Sequence, residues 1–340
     1  MGAGRIRAAA LLVVSPPAWC APFQSALEPA GQQAARVHDL WTLMLVMCTV
    51  VGVAIVVAML IAVWRAPRAS ASTPPEAELT RRPEPRLASW VIGSVTASVI
   101  GLFVLLVASV VTDRTIARLP LDQAVVIEVT GHQWWWEVRY DNNDPTQIFT
   151  TANEMHVPVG KPVMVKLQSS DVIHSLWIPN LAGKKDLIPG HTLTLTFRAD
   201  KPGTYRSQCA EFCGFQHANM ALTVTAESAE EYGRWLQAQL KPAAEPATPE
   251  ELRGKEVFLG STCPMCHAVQ GTTALARRAP DLTHLASRPT LAAGTVPNTR
   301  GHLAGWIVDP HSIKPGVNMP SNTLPPQDLQ ALLAYLGNLR

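Results

Sequence analysis

Residues 124–140 read AVVIEVTGHQWWWEVRY, in which apolar and polar side chains alternate on both sides of a run of three tryptophans. Such a period of two is typical of a β-strand that buries one face. The alternation returns in MHVPVGKPVMVKLQ (155–168) and HTLTLTFRA (191–199), with turn-forming residues between the segments. Several short strands within about 100 residues predict a Greek-key β-sandwich or barrel.

The length and charge of the chain limit the classes of protein to consider. Its 340 residues are enough for two or three domains. The net charge is only +2, and basic blocks with interleaved aromatic residues are absent, so we expect no nucleic-acid partner. A predicted helix, EEYGRWLQAQL (230–240), precedes the proline- and alanine-rich PAAEPATP (242–249), which is typical of a linker. We therefore place a domain boundary near residue 243, and Thr248 with Glu251 predicts a capping box at the start of a helix beyond it.

The N-terminus resembles a targeting segment. Two arginines precede a short apolar run in MGAGRIRAAALLVVSPPAWCA, and the run is too short to span a bilayer. We interpret residues 1–22 as a secretory signal. Cys20 is a candidate lipid acceptor, but Trp19 stands where such sites have a small residue, so an inert or removed cysteine is the alternative.

Two further segments predict transmembrane helices. Leu40 to Trp64 and Leu87 to Val111 are uncharged, and each has the roughly 20 or more residues that a membrane span needs. Together they predict a transmembrane hairpin over residues 38–112. The loop between them carries five arginines and is expected to stay cytoplasmic, which places both ends of the chain on the outer side. That compartment permits thiol oxidation and haem attachment.

A haem signal lies beyond the linker. CPMCH (263–267) is the C-x-x-C-H pattern of c-type haem attachment, in which Cys263 and Cys266 bond the haem and His267 reaches the iron. A zinc knuckle or a redox pair would usually need further ligands, and no second cysteine pair follows. Met319, in the polar loop KPGVNMP (314–320), is the predicted sixth ligand. Three histidines compete with it for that role: His284, His302 and His311.

Residues 207–220 read SQCAEFCGFQHANM and concentrate side chains that bind metals. A disulfide would explain neither the histidine nor the methionine of this stretch. Zinc has little use for a thioether, whereas methionine beside cysteine and histidine suits copper. The candidate ligands here are Cys209, Cys213, His217 and Met220.

A fifth ligand should come from another loop. SSDVIHSLWIP (169–179) supplies His174 at the end of a predicted strand, although a lone histidine beside an apolar run is usually structural. A mononuclear blue-copper site takes two histidines, one cysteine and a weak methionine, so one cysteine is left over. Two thiolates can bridge two coppers, with Met220 as the weak ligand on one and the Glu211 carbonyl on the other.

These motifs resemble two known families. The pattern C-x-E-x-C-x-x-x-H-x-x-M with an upstream DVIHS resembles the binuclear CuA centre of cytochrome c oxidase subunit II. GHQWWWEVRY and LAGKKDLIPGH (181–191) resemble that family's aromatic stretch and a loop near its core-subunit interface, although His191 stands where the family has arginine. CPMCH, APDL, LAGWIVDP and KPGVNMP resemble landmarks of a class I cytochrome c.

The resemblance implies a three-part architecture of the caa-type oxidases. Two N-terminal transmembrane α-helices would precede a cupredoxin-like Greek-key β-sandwich, the CuA domain, over residues 120–235. A small all-α class I cytochrome c domain would occupy residues 243–340. Pro280 and Trp306 are then expected to contact the haem.

The resemblance also implies roles for individual residues. Trp134 would be the electron entry point. The Glu211 side chain would help to hold a magnesium ion at the interface with the catalytic subunit. The two coppers would be bound by His174, Cys209, Glu211, Cys213, His217 and Met220.

The function implied is that of an electron-entry subunit of a terminal oxidase. Electrons would pass from a soluble or membrane-bound cytochrome donor through haem c to CuA. They would continue to catalytic subunit I, which reduces oxygen to water with proton translocation alongside other oxidase subunits. The membrane spans contain no histidine cluster, so the oxygen site is expected in that partner. The predicted location is a bacterial-type plasma (inner) membrane, multi-pass, with both cofactor domains on the periplasmic side.

The same motifs disfavour three other functions. Quinol oxidases have a related subunit but lack the copper ligands. A CuA-bearing nitric or nitrous oxide reductase component is disfavoured by the two spans and by DLIPG. A non-catalytic membrane-anchored copper carrier would have no need of CPMCH.

Overall fold

The computed structural model describes residues 24–66 and 85–340. The predicted signal segment, Cys20 and most of the arginine-rich loop lie outside the described residues. The helices of the described residues are α1 Gln32–Arg65, α2 Pro85–Ile116, α3 Ala229–Gln239, α4 Pro249–Gly260, α5 Arg300–Val308, α6 Pro310–Ile313 and α7 Pro326–Asn338.

Helices α1 and α2 are long and apolar enough to cross a membrane. Their large apolar side chains, Val53 and Leu102 among them, are exposed in the isolated chain. A row of exposed valines, leucines and isoleucines of this length is stable only against lipid or another apolar partner. The two helices lie side by side, and Gly101 of α2 comes close to Met47 of α1.

The sandwich domain (residues 125–239) consists of ten strands and helix α3. One sheet has the strand order β3-β2-β1-β5-β8 and the other β4-β10-β9-β6-β7, with their apolar faces packed together. This arrangement confirms the predicted β-sandwich. The strands are β1 Val125–His132, β2 Trp135–Tyr140, β3 Phe149–Ala152, β4 Glu154–Pro158, β5 Pro162–Ser169, β6 His174–Trp177, β7 Lys184–Leu187, β8 Leu193–Arg198, β9 Gly203–Cys209 and β10 Ala221–Glu227.

The stretch 124–140 forms two strands rather than one. Strands β1 and β2 pair in antiparallel fashion, with His132 opposite Trp135, so the chain reverses at Gln133 and Trp134. The alternation is preserved within each strand, because Ile127, Val129, Trp136 and Val138 are all fully buried between the sheets. The reversal places Trp134 at the tip of the hairpin instead of in a ladder.

The segment before α1 is bound to the sandwich domain. The Ala30 N–H donates to the Asn180 carbonyl at 2.7 Å, and the Ala30 carbonyl accepts from the Asp200 N–H at 2.7 Å. At the start of α1, the Gln33 side chain accepts from the Gly183 N–H at 2.8 Å. We call residues 24–33 the strap. Two connections therefore join the apolar helices to the sandwich domain: the strap at the start of α1 and the chain that follows α2.

The helical domain (residues 249–338) packs around α4 and α7. The predicted capping box is confirmed, since the Thr248 hydroxyl accepts from the Glu251 N–H and the Glu251 carboxylate accepts from the Thr248 N–H. A Cβ at Gly254 would lie 2.0 Å from the Ala331 carbonyl oxygen, so only glycine permits the close approach of α4 to α7. The domain is not purely helical, because a two-stranded hairpin joins β11 Thr290–Leu291 to β12 Val296–Pro297.

Candidate metal and haem sites

The sheet topology brings the two predicted metal-binding loops together. His174 is the first residue of β6 and Cys209 the last of β9, and these strands pair with Leu176 opposite Cys209. The chain then turns through the loop that carries Cys213 and a short 3-10 helix, His217–Asn219, before entering β10. Residues 35 positions apart are thus placed at the same end of two neighbouring strands within the sheet.

The side chains of this loop converge on the Cys213 sulfur. Its distance to the Cys209 sulfur is 3.8 Å, far beyond the roughly 2.05 Å of a disulfide bond, so both thiols are free. The Cys213 sulfur also lies 3.6 Å from His217 Nδ1 and 3.9 Å from the Met220 sulfur. On the other side, His174 Nδ1 lies 3.9 Å from the Cys209 sulfur. Two thiols flanked by one imidazole each, with a thioether on one side, are a suitable donor set for a pair of copper ions.

Glu211 offers its backbone rather than its carboxylate to this cluster. Its carbonyl oxygen lies 3.3 Å from the Cys209 sulfur. Its carboxylate is exposed and lies 3.3 Å from the Lys184 ammonium. The two groups of one residue therefore point to different surroundings, as the predicted double role requires.

The two thiols do not ionise independently. The hydrogen bond from Cys213 lowers the pKa of Cys209, and the same interaction raises the pKa of Cys213. The pair thus tends to retain one proton between two sulfurs in the absence of a cation. Binding of a cation favours loss of that proton, since metal ligation requires the thiolate.

Asp171 orients His174, a role that the sequence pattern left undecided. Its carboxylate lies 2.8 Å from His174 Nε2 and accepts from the Gln133 N–H at 2.7 Å. With Nε2 held in this way, Nδ1 faces the Cys209 sulfur. Burial opposes the imidazolium, yet the contacts with Cys209 and Asp171 raise the pKa of His174. The only signal in the sequence was a carboxylate three positions before the histidine.

A second site is a cavity of about 460 Å³ in the helical domain. The His267 imidazole is partly buried there, and its Nδ1 lies 2.7 Å from the Pro280 carbonyl oxygen, which leaves Nε2 available. Burial lowers the pKa of His267, which favours the neutral imidazole that binds a metal. The predicted haem residues all line this cavity: Cys263, Cys266, His267, Pro280, Trp306 and Met319.

The residues that line the cavity fit the chemistry of a covalent haem. Its wall is mainly apolar, and two arginines, Arg278 and Arg288, can face the acidic edge of a porphyrin. The Arg288 Nε atom makes no hydrogen bond, but it lies 3.5 Å from the Glu154 carboxylate oxygen. The competing histidines do not line the cavity: His284 Nε2 contacts the Lys241 carbonyl, His302 Nδ1 contacts the Thr299 hydroxyl, and His311 is exposed.

Met319→Ala should lower the reduction potential of the haem and leave the copper signal intact. Loss of a thioether ligand disfavours the ferrous form, and a shift of roughly 0.1–0.3 V is expected within the about 0.8 V that axial ligands span. A redox titration of the haem absorbance measures the shift. Met265→Ala is the matched control, because Met265 also lines the cavity but is mostly exposed. Equal potentials in the Met319 variant and the control would exclude Met319 as a ligand.

Trp134 lies between the two sites. Its indole N–H donates to the Cys213 carbonyl at 3.0 Å, and the Gln133 amide donates to the same oxygen at 2.7 Å. Trp134 also lines the haem cavity. Trp135 instead stacks on His132 with ring centroids 4.3 Å apart, and Trp136 is fully buried in the core. Of the three tryptophans, only Trp134 contacts both a cysteine of the metal cluster and the haem cavity.

Comparisons with known proteins find relatives of both the sandwich domain and the helical domain. The family profile "Cytochrome C oxidase subunit II, periplasmic domain" matches residues 142–227, and the cytochrome c profile matches residues 252–340. The chain is 32% identical to cytochrome c oxidase subunit 2 of Alkalihalophilus pseudofirmus, over 93% of this chain and 91% of the relative. It is 31% identical to the Bacillus subtilis protein of the same name, over 94% of this chain and 92% of the relative. Among solved structures, the periplasmic domain of subunit II of cytochrome oxidase from Bradyrhizobium japonicum is similar at 30% identity and a TM-score of 0.33, covering 35% of this chain and 96% of that one.

Proposed function

Since the chain belongs to the cytochrome c oxidase subunit 2 family, with a cytochrome c domain at its C-terminal end, we propose that it is the electron-entry subunit of a membrane-bound terminal oxidase. In this proposal it passes electrons from a cytochrome donor through haem c to a CuA centre and on to a catalytic subunit. That partner would reduce oxygen to water with proton translocation. The observation that carries the proposal is the position of Trp134, in contact with the Cys213 carbonyl and with the haem cavity.

The residues proposed to hold the two groups are those that converge in the two sites. Cys263 and Cys266 would bond the haem covalently, with His267 and Met319 as axial ligands. The copper pair would be held by His174, Cys209, Glu211, Cys213, His217 and Met220. When bound, the haem and the copper pair supply one-electron redox chemistry without bond making or breaking. The protein fixes the ligand side chains, as Asp171 fixes His174.

A surface next to the copper loop is proposed to face the catalytic subunit. Phe212 and Phe215 flank Cys213 and are 78% and 79% exposed, which is unusual for phenylalanine. Nearby, the Glu211 carboxylate is paired only with Lys184. It would supply one oxygen to an interface magnesium ion, and the remaining oxygen ligands would come from the partner or from water.

The membrane arrangement follows from the helices and the family. Two helices of spanning length precede a domain that matches a periplasmic family profile, so the chain is a membrane-anchored protein with a periplasmic domain. We propose that both helices span a bacterial plasma membrane and that the sandwich and helical domains lie together on the outer side. The tether keeps the haem at high effective concentration beside the copper site.

The proposal is tested by the metal content of the purified chain. We expect two copper atoms for each haem iron, because two thiols 3.8 Å apart can bridge two ions. The oxidised protein should show an electron paramagnetic resonance signal shared between the two coppers. Quantitative metal analysis of the full chain in detergent gives the ratio. One copper per haem, or zinc in place of copper, would refute the binuclear assignment.

A further inference from the structure

The helical domain closes onto the sandwich domain around the mouth of the haem cavity. Gln133, Trp134, Trp135 and Asn153 of the sandwich domain complete the wall of that cavity. Backbone contacts hold the two domains edge to edge: the Ala221 N–H donates to the Ala293 carbonyl at 2.9 Å. The cavity is therefore formed by both domains, and its shape depends on how they dock.

A single lysine is buried where the two domains meet. Lys314 is only 1% exposed, and its ammonium donates to the carbonyls of Trp134 at 2.8 Å, Asn219 at 2.6 Å and Ala292 at 3.0 Å. The Trp134 and Asn219 carbonyls belong to the sandwich domain. Burial lowers the pKa of Lys314 to about 7. However, three carbonyl acceptors require three N–H donors, which only the charged ammonium provides.

The contacts of Lys314 relate the parts of the proposed electron path to one another. Lys314 lies five residues before Met319 in the same loop. Its two sandwich-domain partners are the tryptophan that faces the haem cavity and the residue immediately before Met220. The Lys314 ammonium thus connects the loop that carries Met319 to Trp134 and to the residue beside Met220.

A second buried cation also crosses this interface. Arg288 of the helical domain is buried, with its Nε 3.5 Å from the Glu154 carboxylate and its terminal nitrogen donating to the Thr151 hydroxyl at 3.2 Å. Glu154 is itself buried and accepts from Thr151 at 2.6 Å. With two anchoring points, the helical domain cannot rotate about either one without exposing or unpairing a buried charge.

The energetics of such buried contacts favour a role in orienting the two domains over a role in strengthening their association. A buried ammonium loses its hydration, and hydrogen bonds to carbonyls recover that loss only when all of them are made. A small displacement of the domains would leave the charge buried and partly unpaired. The docked arrangement with all three hydrogen bonds is therefore favoured over slightly displaced ones, as expected of a buried charge that specifies one arrangement.

We propose that Lys314 is the positioning residue that fixes the haem-bearing domain on the copper-bearing domain, with Trp134 between the two sites. The proposal rests on the electron-entry function proposed above. In it, electron transfer between the sites occurs within one closed arrangement and does not wait for the domain to diffuse to its partner on each turnover.

Lys314→Met tests the proposal, because methionine keeps an unbranched apolar side chain and removes the ammonium. We expect the docked population relative to the undocked one to fall by about 10- to 100-fold, as loss of charged hydrogen bonds implies. Electron transfer from the haem to the copper pair after flash reduction should slow and become dependent on viscosity, while haem and copper contents stay normal.

Lys255→Met is the control, since Lys255 pairs with Glu245 outside the interface. An unchanged, viscosity-independent rate in the Lys314 variant would overturn the proposal.

If the variant fails to fold, a measurement on the unmodified full chain still tests whether Lys314 is buried between the docked domains. An amine-acylating reagent, followed by mass spectrometry, should modify exposed Lys185 quickly and leave Lys314 protected. Acylation of both at the same rate would show that the closed arrangement is not populated. If Lys314 is protected but the protein holds no copper, the docking role is supported and the proposed function fails, so the two failures are distinguishable.

Discussion

Cys213→Ser should abolish the copper-pair signal and reduce oxygen uptake by the assembled oxidase to background. The Cys213 sulfur is the atom on which the cluster converges, within 3.9 Å of the Cys209 sulfur, His217 Nδ1 and the Met220 sulfur. A serine hydroxyl is a hard donor that cannot bridge two copper ions as a thiolate does. We expect a loss of more than about 100-fold, because even partners outside the ligand shell are worth 10- to 100-fold. Electron paramagnetic resonance and oxygen consumption measure the two effects.

The control for this variant is Cys48→Ser, which changes an exposed cysteine in α1 and should leave both readouts unchanged. The haem absorbance should survive in Cys213→Ser, because the haem cavity is built from other residues. A mixed-valence signal that persists without Cys213 would rule out the bridging assignment.

Trp134→Phe should slow electron transfer from the haem to the copper pair by at least about tenfold, a barrier increase of about 1.4 kcal/mol. Phenylalanine retains an aromatic ring in the cavity wall but loses the indole N–H that donates to the Cys213 carbonyl at 3.0 Å. The connection between the haem cavity and the cysteine is thereby broken. Flash reduction of the haem, followed by the copper absorbance, gives the rate.

Trp135→Phe is the matched control for this experiment. Trp135 is the next residue, also lines the cavity and is similarly half-buried, but it stacks on His132 and makes no contact with Cys213. We expect its rate to stay near that of the unmodified chain. If both variants slow transfer equally, cavity packing rather than the Trp134 contact sets the rate.

The sequence predicted the elements whose signals are local. Alternating side chains marked strands, a Thr–Glu pair marked the start of α4, and C-x-x-C-H marked the haem domain. The candidate copper ligands could also be predicted, because five of the six fall within twelve residues and the sixth, His174, lies in the recognisable motif DVIHS. The structure brings these side chains together, and their ligand roles stay predictions until metal is measured.

Features that depend on distant partners were not predictable in this way. Lys314 looks like an ordinary loop lysine, and its burial arises only because residues 134 and 219 of another domain meet it. The hairpin reversal at Gln133 and Trp134 is hidden within a continuous alternating pattern. Asp171 carried too weak a signal to assign, since a carboxylate in a loop usually faces water.

The strap before α1 has a practical consequence for anyone who wishes to work with a water-soluble fragment. A fragment that starts after α2 would retain every predicted copper and haem ligand. It would lose the backbone bonds between Ala30 and both Asn180 and Asp200, together with the bond from Gly183 to Gln33. A peptide of residues 24–33, added separately or fused ahead of the fragment, would restore these bonds. During synthesis the bond to Asp200 cannot form until residue 200 has been translated, so the strap is made long before all of its partners in the sandwich domain exist.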